Sequence, residues 1–181
     1  MMPPPSEADL ALLELGRVTV AFSYTDFMLD TLLANFVGLE PETLRKGRRF
    51  APFGRKLDEL RDGIRPLAAE APDVWSLVRD WISDAVEASR QRNVALKSMM
   101  VYSGLGPLRQ VGDDGRFVDV GPADLAALAG RLDGLSRRAR EILEAATAAG
   151  VLVLSVEIED DDYDVDYLLR IDLLTSSSKP D

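Results

Sequence analysis

An all-α fold, arranged as an antiparallel (up-down) four-helix bundle, is the class this chain predicts, and three observations carry the prediction. Four stretches repeat apolar residues at the 3-4 spacing of an amphipathic helix, three of them long. No alternating strand-helix-strand rhythm and no internal repeat accompany them. The length, 181 residues, suits one domain with a real core.

The elements follow in order. Residues 1–6, beginning Met1-Met2-Pro3-Pro4-Pro5, are expected to be disordered. Ser6, with Glu7 and Asp9 behind it, reads as a helix N-cap with acidic residues in the first turn. The first helix then runs to about Val37 along a seam of Leu15, Val18, Phe22, Leu29, Leu32 and Phe36, with Thr25 its polar member, and Gly38 closes it. A second helix, from about Phe53 to Ala69, carries Phe53, Leu57, Leu60, Ile64 and Leu67; Gly63 and Pro66 shorten or kink it. Pro72-Asp73 opens a third, which reaches about Tyr102. Its seam is Val74, Val78, Trp81, Ala85 and Ala88, then Arg92, then Ala95, Met99 and Tyr102.

Gly104, Gly106 and Pro107 stop that helix. Leu108–Val111 and Phe117–Val120 flank Gly112-Asp113-Asp114-Gly115, the signature of a β-hairpin between helices three and four. The fourth helix starts at Pro122-Ala123-Asp124 and has the cleanest seam, Leu125, Leu128, Leu132, Leu135, Ala139, Ile142 and Ala146, ending at Gly150. Residues 7–150 are therefore the helical bundle and 151–181 an acidic C-terminal extension, in which apolar Tyr167, Leu168, Leu169, Ile171, Leu173 and Leu174 suggest docking on the domain or on a partner. Asp160, Asp162, Asp164 and Asp166 evoke a calcium loop, yet the glycine and later glutamate of an EF-hand are missing, so a strand or a loosely held tail is the better reading.

Composition removes several chemistries. Without cysteine there are no disulfides, thiolate metal sites or cysteine nucleophiles. Histidine is missing too, and with it the usual acid-base group near neutral pH and the commonest nitrogen ligand for metals. No metal and no cofactor is expected. The formal charge of -10 is concentrated at the end, nine acidic residues lying between Glu157 and Asp181 against Arg170 and Lys179, and it opposes indiscriminate nucleic-acid binding. The start has neither the basic flank nor the apolar run of a signal peptide or anchor. No window approaches the roughly 18 apolar residues of a membrane span. A cytoplasmic protein without membrane contact is the expectation.

Two groups of residues remain as candidate sites. One is the basic cluster Arg45, Lys46, Arg48, Arg49, Arg55 and Lys56, which reads as a solvated face or as a grip on phosphates. The other is the stretch from Arg90 to Ser103, where Arg92 takes an apolar seam position beside Asn93. That stretch resembles the HEPN superfamily of small helical bundles, whose motif places an arginine, a polar residue and then a histidine late in a long helix. Arg92-Asn93-Val94-Ala95-Leu96 fits, and Lys97 stands where the histidine would be. Asp26 takes the place of an acidic residue in the first helix, and Phe53-Gly54-Arg55-Lys56-Leu57 looks like the lysine-containing start of the second. The likeness covers about Leu12 to Ala149.

The resemblance implies a homodimer and, in many members, a metal-independent ribonuclease with paired motifs across the dimer interface. Arginine can hold a phosphate through parallel charge-assisted bonds, which the polar neighbour orients. Proton transfer is the lost function: an ordinary lysine, with pKa near 10.4, would have to fall by about three pH units to act as a base at neutral pH. The reading is thus a catalytically degenerate HEPN-like protein that acts by binding RNA, a nucleotide or a protein partner, in a groove lined by Arg92, Asn93 and Lys97. Alternatives are an endoribonuclease of a toxin-antitoxin or phage-defence system, and a structural subunit whose acidic tail engages a basic partner. A purely structural account pairs Arg92 and Asn93 with Asp26 or Asp30, because an unpaired buried charge costs several kcal/mol. Tyr102 reads as a supporting aromatic, and Trp75 and Trp81 as core or interface residues.

Overall fold

The computed structural model describes residues 5–38, 51–99, 108–111, 117–152, 154–156 and 171–173. They are almost wholly helical: α1 (Glu7–Val37), α2 (Phe53–Gly63), α3 (Leu67–Glu70), α4 (Pro72–Met99) and α5 (Pro122–Ala148). Two short antiparallel pairs accompany them. In one, β1 (Leu108–Val111) and β2 (Phe117–Val120) set Leu108 against Val120 and Val111 against Phe117. In the other, β3 (Leu154–Val156) and β4 (Ile171–Leu173) set Leu154 against Leu173. Residues 1–4, the turn Gly112-Asp113-Asp114-Gly115 and the acidic run Asp160 to Asp166 lie outside the described residues.

The helix ends obey the local chemistry expected of them. Ser6 caps α1 reciprocally: its hydroxyl accepts from the Asp9 amide at 3.2 Å, while its own amide donates to the Asp9 carboxylate at 2.9 Å. The Ser6 hydroxyl, which donates to the Asp9 carboxylate at 2.7 Å, and then the Ser6 amide hold that carboxyl below its ordinary value. At α5 the Gly121 amide donates to Asp124 at 3.2 Å, with Pro122 at the first helical position. Gly38 and Gly150 follow α1 and α5 with φ of 68° and 71°, the left-handed conformation that ends a helix and that a side chain would strain. Pro66 and the turn before it split the second amphipathic stretch into α2 and α3, the interruption its glycine and proline foretold.

The chain divides into two compact units, Met1–Phe27 with Trp81–Arg138, and Met28–Asp80 with Ala139–Asp181. The first is built from the opening part of α1, most of α4 and the first half of α5. Leu15, Val18 and Ala21 bury there with Trp81, Ala85, Ala88, Leu128 and Leu132. Trp81 satisfies its indole by donating to the Leu135 carbonyl at 2.8 Å. Thr25, the polar member of the α1 seam, donates back to the Ala21 carbonyl at 2.9 Å and lies 3.3 Å from the Ser136 hydroxyl, so no buried hydroxyl is stranded.

The second unit takes its core from Leu29, Leu32 and Leu33 of α1, Leu57 and Leu60 of α2, Ile64, Val74, Val78, Ile142 and Ala146. Nearly all the apolar seam positions read from the sequence are buried in one unit or the other. Phe22, Phe36 and Phe53 are half-buried instead.

Candidate functional site

Arg92 lies seven residues before the described end of α4, in the first unit. The helical period brings it onto the line of Ala85 and Ala88, which bury, so its guanidinium is carried toward the unit's interior although the residue remains half-buried. The planar group lies over the Phe22 ring of α1, 4.3 Å from the centroid, a geometry in which the ring's negative face attracts the cation. Its Nη1 donates to Asn93 Oδ1 at 3.0 Å. Its Nε is buried and meets no hydrogen-bond acceptor among the described residues.

Two opposing influences act on that charge. Burial lowers the guanidinium's pKa from its ordinary value, and the negative charge of Asp26 works against the fall. No ion pair joins Arg92 to a carboxylate among the described residues. Asp26 therefore stabilises the arginine through space without closing it off. Asn93 and Lys97 are both exposed, one turn apart on the same face of α4.

One turn earlier the arrangement reverses. Arg90 donates to Glu87 at 3.0 and 2.9 Å, and Gln91 adds a bond to the same carboxylate at 2.6 Å. The Arg90 bonds, then that of Gln91, pull the Glu87 carboxyl down to about 2. Arg90 is thus engaged by a local carboxylate, and Arg92 by a neutral amide and a ring.

The second unit holds a different cation. Lys56 of α2 is 1% exposed, and its ammonium sits 2.9 Å from both carboxylate oxygens of Asp30 on α1, whose side chain is 27% exposed. This corrects the reading of Lys56 as part of a solvated or phosphate-gripping face: it is a buried structural cation. Arg55 fits the solvated reading, being exposed with its Nε 3.4 Å from Glu59 one turn on. Arg45, Lys46, Arg48, Arg49 and Tyr102 lie outside the described residues.

Of the expected site, Arg92, Asn93, Lys97 and Asp26 fall in the first unit, and Asp30, Arg55 and Lys56 in the second. Phe22, which the periodicity places in the core seam, is the participant that no sequence signal singles out. Among the described residues no group of three or more acidic side chains could hold a metal ion, and no helix is long and apolar enough to cross a membrane. No family model, no curated protein and no solved structure matches this chain significantly.

Proposed function

We propose that this chain is a catalytically degenerate HEPN-like protein that binds a phosphate-bearing ligand, RNA or a nucleotide, at the Arg92 guanidinium. The single observation behind the reading is an arginine held on a ring face, its Nε without an acceptor and its charge unmatched by an ion pair among the described residues. A guanidinium in that state presents donors in a fixed fork, the geometry that suits a phosphate. Asn93 steadies one arm of the fork, and the exposed ammonium of Lys97 adds a second positive charge one turn away.

The finer architecture belongs to the same reading: an up-down four-helix bundle with a β-hairpin before the last helix, assembled as a cytoplasmic homodimer, with the acidic extension free to engage a protein partner. The antiparallel pairing of β1 with β2 supports the hairpin. Without histidine, and with Lys97 exposed, binding is favoured over ribonuclease chemistry.

Fluorescence anisotropy with labelled single-stranded RNA and with nucleotides, at several salt concentrations, tests the proposal. Binding should weaken as salt rises and be lost in Arg92→Ala, whose circular dichroism should match the parent. Equal affinity in parent and variant refutes it. RNA cleavage abolished by Arg92→Ala would replace it with the endoribonuclease reading.

A further inference from the structure

The anion site at Arg92 is more than a place of positive charge, because its donors can be counted. A guanidinium only donates, so the bond from Arg92 Nη1 at 3.0 Å fixes which end of the Asn93 amide is turned toward it: the oxygen. The Asn93 Nδ2 group, with two N–H donors, is thereby left beside the guanidinium at the exposed surface. Lys97 follows one turn on, also exposed, with three more donors on a flexible stem. Three separate donor groups, two of them cationic, stand within roughly a turn and a half of α4.

The surroundings limit the size of the ligand. Toward the start of α4 the described cations are engaged: Arg90 donates to Glu87, Arg138 to Asp84 and Arg79 to Asp80. Val86, about two turns before Asn93 on the same face, is apolar and 45% exposed. On α1 the charge that acts on Arg92 is the negative one of Asp26, and on α5 Arg131 acts on Glu87. Past Met99, the segment from Met100 to Pro107 contains no lysine or arginine. Arg137 is the exception, exposed on α5 beside Arg138, whose bond to Asp84 sets that level of α5 about 12 Å from Arg92 along α4. A nucleic-acid strand laid along this face would find cations for one phosphate and then neutral or negative surface, on a chain whose formal charge is -10.

We infer that the site takes one terminal phosphate, a phosphomonoester on a ligand of mononucleotide size, and not the internal phosphodiesters of an RNA strand. The inference rests on the anion-binding reading and narrows it. A monoester presents three terminal oxygens, one for each donor group; an internal diester has two, its other oxygens being bonded to carbon and poor acceptors. Near neutral pH the monoester also carries close to two negative charges against the diester's one. A second unit charge about 4 Å from a surface cation is worth roughly a factor of five even at the dielectric of water. Oxygen count and charge favour the same ligand.

Isothermal titration calorimetry of the full chain at fixed ionic strength tests this with probes that share one base. They are adenosine, adenosine monophosphate, the methyl ester of that phosphate, and an oligoadenylate of about twelve nucleotides, long enough for an ordinary single-strand site, with and without a terminal phosphate. The monophosphate should bind about tenfold more tightly than its methyl ester, and adenosine should not bind. The oligonucleotide bearing a terminal phosphate should match the monophosphate, and without it should fall to the level of the ester. Lys97→Gln should bring the monophosphate and the ester to within about twofold of each other. Arg137→Ala should change nothing.

Acidity supplies an independent readout. The chain has no histidine, the side chain that ordinarily titrates near neutral pH. The charged groups described about the site are Arg92, Lys97, Arg90 and Glu87 on α4, Asp26 on α1 and Arg131 on α5. A phosphomonoester loses its second proton near about pH 6, so affinity for the monophosphate should rise between about pH 5 and about pH 7 while that for the methyl ester stays level. An oligonucleotide that binds more tightly than the monophosphate, an ester equal to it, a level pH profile, or a loss in Arg137→Ala overturns the inference and leaves the anion reading standing. Binding of none of the probes would remove both.

Discussion

Two cations set away from bulk water, Lys56 and Arg92, answer the same physical problem in opposite ways. Lys56 is enclosed, and its ammonium has a carboxylate at 2.9 Å. Arg92 is half-buried, and it leans on a ring and a neutral amide while Asp26 acts on it only through space. The first arrangement satisfies the charge internally and leaves nothing over for a ligand. The second supports the cation without neutralising it, which is the condition under which an external anion gains most by arriving. Position in an apolar seam is therefore not the mark of a binding site; the identity of the partner is.

Removing the lysine's carboxylate should produce the largest effect. Asp30→Ala takes that carboxylate away from an enclosed ammonium and should cost about 3 kcal/mol in urea unfolding, the scale of a broken buried pair. Lys56→Met should cost less, about 1 to 2 kcal/mol, because the apolar stem is retained and the Asp30 carboxylate, 27% exposed, keeps access to water. If the two variants are equally destabilised, the pair is not as asymmetrically buried as described. If neither is destabilised, the contrast with Arg92 disappears.

The arginine should respond on a smaller scale. Phe22→Leu removes the ring beneath the guanidinium and should cost about 1 kcal/mol beyond the same change made in an Arg92→Met background, a double-mutant cycle isolating the cation-π contact. Arg92→Met alone should shift stability by no more than about 1 kcal/mol, since it relieves a desolvated charge as it deletes that contact. A loss as large as that of Asp30→Ala would mean that Arg92 is a structural cation after all.

The sequence disclosed the helices better than it disclosed these partners. Seam residues such as Leu132, Trp81 and Val18 were legible because helical periodicity alone decides which side of a helix is buried. Arg92 was legible for the same reason, as the exception to a period. Lys56 was hidden by its neighbours: beside Arg45, Lys46, Arg48, Arg49 and Arg55 it looks like one more solvated cation. A signal existed, since Lys56 adjoins Leu57 and precedes Leu60 by one turn, on the apolar side of α2. Asp30 is likewise a lone charge in the apolar run from Met28 to Val37. Which carboxylate meets which cation depends on how helices pack in three dimensions, and single-helix periodicity does not contain it.

Glu87 completes the contrast with a third arginine, and its effect should be the smallest. Arg90 and Gln91 hold its carboxyl down to about 2, below the ordinary 4.5. A depressed folded value means that the unfolded chain takes up the proton first as acid is added. The stabilisation is therefore fully present above about pH 4.5 and is lost as pH falls toward 2. Glu87→Gln should remove that portion of the acid dependence, leaving a flatter Tm profile across the same window. The group is exposed, so the difference should shrink further in high salt. Arg92→Met gives the matching control: with no carboxylate bonded to it among the described residues, it should leave the acid limb of the profile in place. Were it to flatten that limb as Glu87→Gln does, a carboxylate would be neutralising Arg92, and the distinction between a satisfied cation and an available one would fail at the residue where it matters.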